Sequence, residues 1–404
     1  MKEQIKQRIA QLNKGTIPEG YKRTEFGVFP HDWATDKTLA DIGQFGKGKG
    51  LPGDKMTTKG IPCVGYGDIY MKYNHFYFEE AENFVDEETA KESQPIDKGT
   101  LLFTGTGETA EEIGKCICYF GDQTIYAGGD IITFIPRNVN PLFLTYQQYQ
   151  DFSLRKKASY GQGHSVVHIQ KGSLEKLNVA YPPSADEQAA IVRILVCCDE
   201  RVKLQEQYLY QLNKRHKWYL QKYLKGSSLR YVKLGDICEI RKGDQLNNSE
   251  LNQSGQFPMM NGGITESGFT DSYNRSENTI TISEGGNSCG FVNFIKQRFW
   301  CGGHCYTLHN IQIDQDALFY ILKANETSIM QLRCGSGLPN IQKSSLESFR
   351  IGIISDTKYL DKLTRVLKDS DQKILLNEKL LLTMKAQRKA LHQYLLNGLV
   401  RVNL

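Results

Sequence analysis

The chain of 404 residues has no run of eighteen apolar residues, so none of its helices is expected to cross a membrane. Its first fourteen residues lack the apolar core that marks a secretory signal. Ile5, Ile9 and Leu12 instead line one side of a short amphipathic helix. Cysteine is plentiful, but paired metal knuckles are missing. The ten cysteines are scattered, and the one cluster, Cys301-Gly-Gly-His304-Cys305 with Cys289 upstream, is a single imperfect knuckle. A structural zinc site normally needs two at a regular separation. Reduced thiols, a cytoplasmic location and no bound metal are therefore expected. A surplus of one charge sign is missing too. The net charge is +5, and the segments 15–185 and 228–358 carry −5 and −1. The basic excess lies in 1–14, 186–227 and 359–404, at +3, +3 and +5. No large basic face follows, so charge alone does not point to nucleic acid.

Catalytic signatures are also lacking. No GxxxxGK[ST] phosphate loop occurs, so no ATP-driven motor is expected. No PD-(D/E)xK nuclease pattern is evident. An amino-methyltransferase would carry Asn or Asp before Pro-Pro and an aromatic after it. Tyr181-Pro-Pro-Ser184 has neither. Gly105-Thr-Gly-Glu-Thr-Ala110 looks like a dinucleotide loop, but no strand–helix–strand unit surrounds it. His164 and His168 stand four apart around Ser165-Val-Val167, which is not a metalloprotease context. They read as loop and strand residues, and no cofactor is expected.

What the chain does have is a repeat. Two segments, about 186–224 and 356–397, carry a helical pattern, and an offset of 172 superposes them. Leu195, Val202, Leu209, His216 and Tyr223 recur every seven residues against Leu367, Ile374, Leu381, Arg388 and Leu395. Leu212 and Met384 belong to a second register, with Ile191, Cys198, Gln205 and Tyr219 against Leu363, Ser370, Asn377 and Leu391. Such a seam at a and d positions predicts a coiled coil. At 1.5 Å per residue, about 38 residues make a rod of roughly 57 Å. Gly226 and Gly398 follow the two helices as expected C-caps. Gln205 and Asn377 make one layer polar in both. That layer either fixes register or faces solvent at the edge of the seam.

The match continues upstream. Ile169-Gln-Lys-Gly-Ser-Leu-Glu175 aligns with Ile341-Gln-Lys-Ser-Ser-Leu-Glu347, Gly161-Gln-Gly163 with Gly335-Ser-Gly337, and Leu39-Ala-Asp-Ile42 with Leu234-Gly-Asp-Ile237. Gly/Lys loops follow the last pair, Gly46-Lys-Gly-Lys-Gly50 and Arg241-Lys-Gly243. The chain thus divides into an N-terminal helix (1–14), a globular segment (15–185), a helix (186–227), a second globular segment (228–358) and a second helix (359–404). Apolar strands are predicted at 100–104, 115–119 and 130–135, and again at 278–283, 290–295 and 305–309, separated by Gly-rich turns. Helices are predicted at 141–150 and 316–322, and a solvated helix and turn at 79–92. The expected fold is α+β: two β-rich globular domains, each followed by a long helix, with a pseudo-twofold internal repeat.

Taken in order, these pieces resemble a known family. Gly20-Tyr-Lys-x-Thr-Glu-x-Gly27-x-x-Pro-x-x-Trp33, the Leu-x-Asp-Ile segments, the Ile-Gln-Lys-x-Ser-Leu-Glu segments and Pro182-Pro-Ser-Ala-Asp-Glu187-Gln188 resemble the DNA-specificity (S) subunit of type I restriction–modification systems. The resemblance covers nearly the whole chain. It departs before the second helix, where Ile353-Ile-Ser-Asp356 lacks the Pro-Pro and Glu-Gln signals. The resemblance implies two target-recognition domains, each reading one part of a split double-stranded DNA site, and two helices packed as an antiparallel coiled-coil spacer. It also implies no catalysis by this chain, two docked methyltransferase (M) subunits, and motor–nuclease (R) subunits for cleavage. The alternative is a coiled-coil scaffold that binds proteins without DNA specificity.

Direct readout needs Arg, Lys, Asn or Gln at base edges, while Ser, Thr and backbone amides set position on phosphates. The first candidates are the matched loops with Tyr160, Gln162, His164 and Ser165, and with Arg333, Ser336 and Asn340. The second are Lys47 and Lys49 with Arg241 and Lys242. A third matched loop holds Thr104, Thr106, Glu108 and Thr109 against Glu284, Asn287 and Ser288. Tyr66 and Asn261 complete the set. Each loop could instead be only a tight turn.

Overall fold

The computed structural model describes residues 3–73, 76–163, 165–225, 228–246, 251, 254–335 and 339–402. Contacts divide the chain into two units, 1–203 with 383–404, and 204–382. Two forty-residue helices, Ala185–Leu224 and Thr357–Leu396, contribute a part to each unit.

The first unit centres on a five-stranded sheet. Its order is Gly43–Lys47, Ile131–Pro136, Leu101–Thr104, Cys116–Tyr119 and Tyr77–Phe78, antiparallel except for the last pair. Leu101–Thr104 and Cys116–Tyr119 are buried at every position, which is why they read as continuous apolar runs and not as alternation. A four-stranded sheet lies beside it, ordered Asn83–Val85, Ile61–Val64, Ile125–Ala127 and Gln94–Ile96. Asn140 caps the helix Pro141–Gln147 by accepting from the Phe143 amide, with proline at the first helical position. Trp33, Phe29, Phe134 and Phe143 share one core with Ile191 and Leu195 from the first long helix and Leu395 and Leu396 from the second. Full burial of each such side chain is worth about 1.5–3 kcal/mol, so the helix ends belong to this core and are not appendages.

The second unit repeats the plan. Its sheet runs Glu239–Lys242, Cys305–His309, Thr279–Ser283 and Val292–Ile295, the order of the first four strands of the other sheet. A three-stranded sheet of Gly268–Thr270, Phe257–Met260 and Trp300–Cys301 accompanies it. Asp314 caps Gln315–Ala324 through the Ala317 amide. The core takes Tyr223 from the first long helix and Leu360, Leu363 and Leu367 from the second.

Within each unit the long-helix segments run antiparallel. In the second, Gln205 donates to Asn377 at 2.8 Å, His216 meets Ser370 at 3.2 Å, and Tyr223 meets Thr364 at 2.8 Å. In the first, Arg388 lies 3.6 Å from Asp199 and Arg401 lies 2.7 Å from Glu187. Leu195, Val202, Leu212 and Leu367 are buried, and Leu209, Ile374, Leu381 and Met384 are half-buried. The polar layer is a direct hydrogen bond between repeat equivalents. Hydroxyl contacts repeat as well: Tyr146 donates to Asp199 and Tyr320 to Asp371, both at 2.6 Å.

Two stretches differ from expectation. The acidic segment 79–92 is helical only at Glu87–Glu92, capped by Asp86. Before it, Asn83–Val85 forms a strand, because Phe84 and Val85 pair with Ile61–Val64. The helix Asp151–Tyr160 has no apolar periodicity to announce it, since its buried positions are Ser153 and Lys157. Lys157 donates to the Gly114 carbonyl at 2.8 Å, and burial pulls its ammonium down to about 8. At the end of the second long helix Gly398 takes φ +67°, a C-cap conformation. Gly226 lies outside the described residues. Among the described residues no helix is long and apolar enough to cross a membrane, and no group of three His, Cys, Asp or Glu could hold a metal. Cys301 and Cys305 are buried free thiols.

Candidate nucleic-acid interface

One hydrogen-bond framework gathers the candidate loops in each unit. In the first, Gly48 donates to Ile131, Lys49 to Ala127, Gly105 to Asp130, Gly128 to Val64, and Ile169 to Gly105, all at 2.8–3.2 Å. In the second, Gly243 donates to Cys305, Asp244 to Cys301, Glu284 to His304, Gly302 to Met260, and Ile341 to Glu284, at 2.8–2.9 Å. Gln162 and His168 exchange two backbone bonds, as do Cys334 and Asn340. Only glycine fits at the centre of this arrangement. A Cβ on Gly48 would stand 1.7 Å from the Gly128 carbonyl oxygen, and one on Gly243 would stand 2.2 Å from that of Gly302. The Gly/Lys loop, the Gly-Gly turn, the loop after the central strand and the loop before Ile-Gln-Lys therefore meet at one end of each sheet.

The side chains on this shared frame differ. In the first unit they are hydroxyls and imidazole. The Tyr70 hydroxyl bonds Thr104 Oγ1 at 2.8 Å, and burial holds it above its usual pKa. Thr106 Oγ1 lies 3.1 Å from His168 Nδ1. Lys47 and Lys49 are exposed, and among the described residues neither makes an ion pair.

In the second unit the cluster is charged. Lys242 Nζ lies 2.6 Å from Glu284 Oε1, His304 Nδ1 lies 3.6 Å from Oε2, and the Tyr306 hydroxyl donates to Oε1 at 3.1 Å. Burial, then the Glu284 carboxylate, push the Tyr306 pKa up, so its proton stays available for donation. Asn261 Oδ1 accepts from the His304 amide at 3.1 Å. Arg275 donates to Thr307 Oγ1 and to the Lys242 carbonyl, fixing the base of the Lys242 strand. Charge-assisted bonds of this kind are short and directional, so the exposed Lys242 ammonium is held in one place.

The family model of the type I restriction modification DNA specificity domain matches the chain twice, over residues 30–214 and 227–386. The chain belongs to that family. Each match takes in one globular segment and part of the helix that follows it. A type I specificity subunit of Mycoplasma pneumoniae is 32% identical over 40% of this chain and 44% of its own length. One from Mycoplasma genitalium is 28% identical over 40% and 42%. These two alignments thus span under half of either relative. The specificity subunit of the type I restriction enzyme MjaIX of Methanocaldococcus jannaschii is 23% identical over 95% of this chain and 96% of its own. Among solved structures, the type I S subunit of M. genitalium has a TM-score of 0.65 at 18% identity, covering 92% and 96% of the two chains. A chain from a type I complex-assembly study has a TM-score of 0.55 at 15% identity, covering 93% and 99%. At these identities the likeness is one of fold.

Within this specificity fold the predicted residues separate into groups. Lys47, Lys49, Glu108, Thr109, Gln162 and Ser165 are exposed at the loop end of the first unit, Tyr66 is 42% exposed, and Thr106 and Tyr160 are half-buried. In the second, Lys242, Asn287 and Arg333 are exposed, and Asn261, Ser288 and Asn340 are half-buried. Thr104 and Glu284 are corrections. Thr104 is fully buried and Glu284 is 8% exposed, so both position neighbours and do not present their own atoms. Arg241 is exposed, its guanidinium donates to Glu239 at 2.8 Å through two nitrogens, and alternation along the strand turns it away from Lys242. His164 and Ser336 lie outside the described residues. Tyr70, His168, His304, Tyr306 and Arg275 were not singled out as DNA-site residues. Their partners are 20 or more residues away in sequence, so no local pattern marks them.

Proposed function

We propose that this chain is the DNA-specificity subunit of a type I restriction–modification complex. It reads a bipartite double-stranded target, one half-site per recognition domain, and has no catalytic role of its own. The observation that carries this reading is the pair of loop clusters, equal in backbone framework and unequal in side chains. A shared frame with different contents is what two readers of different half-sites require. The domains are taken as 15–185 and 228–358, with the long helices as a coiled-coil spacer between half-sites. Half-site separation then follows helix length, as it follows dimer geometry in other binders.

Docking of two M subunits and of R subunits belongs to the same reading. Leu204, Tyr208, Tyr210 and Trp218 on the first long helix, and Leu375, Leu376, Leu380 and Leu382 on the second, are 47–69% exposed. Large exposed apolar side chains on helices mark protein contacts, and these are assigned to M. The protein acts in the cytoplasm, where its DNA is. The test is a binding assay of the chain with its M subunit on duplex libraries. Enrichment of a two-part motif with a fixed gap is expected, and absence of sequence preference overturns the reading.

A further inference from the structure

The first recognition domain has an electrostatic problem. Segment 15–185 carries −5, yet in the proposed function it must approach a polyanion. The same unit contains a groove of about 810 Å³ between the helix Asp151–Tyr160 and the end of the second long helix. Arg155 and Lys156 line one wall, and Lys385, Arg388 and Lys389 line the other. Tyr149 and Phe152 also contribute to it. Positions 385, 388, 389 and 392 share one helical face, so the cations of this wall point the same way. Against these five cations the lining offers two acids, Glu25 and Asp151, and Asp151 is already 3.9 Å from Arg155. Arg388 is anchored by the buried end of Asp199 at 3.6 Å.

The groove leads to the candidate reading loop. The Lys156 ammonium stands 5.3 Å from the ring of Tyr160, the residue that opens that loop. The groove is also not part of the repeat. Positions 172 before Lys385, Arg388 and Lys389 are Asn213, His216 and Lys217. The helix at the equivalent place in the second unit, Glu326–Met330, is five residues long and has no basic residue. A partner bound in two equivalent copies would use a repeated surface, and this one is single.

We propose that this groove binds the DNA phosphate backbone flanking the first half-site, with Arg155, Lys156 and Lys389 as contacting cations. The cations of the second long helix thereby offset the acidity of the domain they pack against. The proposal rests on the DNA-reading function above. Phosphate contacts set position without reading sequence, and each one neutralised by a cation contributes about 0.9 to the slope of log binding constant against log salt.

The test compares the S–M complex carrying Arg155→Gln, Lys156→Gln and Lys389→Gln with wild type on a cognate duplex across a salt series. The slope should fall by up to about 2.7 with no change of methylated motif. The charge-keeping triple, Arg155→Lys, Lys156→Arg and Lys389→Arg, should keep the wild-type slope, which separates charge from folding. Trimming the duplex just outside the first half-site should weaken wild type and leave the Gln triple unaffected. An unchanged slope overturns the proposal. So does loss of M subunit binding with an unchanged slope, which would assign the groove to an acidic protein segment, and so does a changed motif. If wild type shows no bipartite preference, the parent reading fails instead, and that is read before any variant.

Discussion

Replacing Gly48 with alanine tests the framework that brings the candidate loops together. The new Cβ would start 1.7 Å from the Gly128 carbonyl oxygen and 2.6 Å from its carbon. Contacts below 3.0 Å are essentially unknown for real Cβ atoms, so the Gly48 loop and the Gly128 turn must part by about 1.3 Å. The obstacle is backbone on both sides, and no side chain can swing away. Overpacking of this kind costs about 1–3 kcal/mol. Parting also strains the bonds from Gly48 to Ile131 and from Lys49 to Ala127, each worth about 1 kcal/mol. A total near 2–4 kcal/mol is a large share of an ordinary domain stability of about 5–15 kcal/mol. At about 2–4 °C per kcal/mol for a unit of this size, the first unit should melt roughly 5–15 °C lower. Calorimetry measures the shift, and binding to duplexes mutated in one half-site measures the functional loss, which should fall on the first half-site only. Gly243→Ala, with its Cβ 2.2 Å from the Gly302 oxygen, should do the same to the second. Gly67→Ala, which meets nothing within 4 Å, is the control. A Gly48→Ala protein that melts within a degree of wild type would refute the framework.

Arg401→Gln should destabilise the first unit by about 1–3 kcal/mol, because Arg401 bridges Asp32 and the nearly buried Glu187, and its loss leaves that carboxylate unpaired; denaturant titration measures it. Arg401 also holds the Asp32 carboxyl below its usual value, so this contribution is present above about pH 3.8 and is lost as pH falls through the lowered value. His216 behaves in the opposite sense, with burial lowering its pKa from 6.5. The unfolded chain then binds the proton more readily, so stability of the second unit should decline as pH falls below about 6.5, and His216→Gln should flatten that decline in pH-dependent melts. Replacing Gln205 and Asn377 together by leucine should raise the melting temperature while loosening helix register, read as heterogeneous disulfide trapping between paired cysteine probes.

The fold was largely legible because the repeat spoke twice. Heptads offset by 172 located both long helices, read as 186–224 and 356–397, to within one residue at each end, and the apolar strands of both sheets fell near their predicted places. Burial on every side made Leu101–Thr104 and Thr279–Ser283 visible as runs. The same rule failed where polar residues were buried, as in Asp151–Tyr160, whose inward positions are a serine and a lysine. The candidate interface was legible in its glycines and less so in its side chains. Gly48 and Gly243 announce themselves by position. The Lys242–Glu284–His304 cluster exists only after three distant strand ends meet. Glu284 was picked for its loop position, whereas the structure gives it the work of holding Lys242.

The central claim is that one chain reads two half-sites through two different clusters on one frame. Genome-wide methylation mapping in cells that express this chain with its M subunit tests it most directly, in wild type and after exchange of segment 15–185 for that of a relative. The expected result is a two-part motif with a fixed gap, of which the exchange alters one part and leaves the other part and the gap intact. A contiguous motif, or an exchange that alters both parts together, would contradict it.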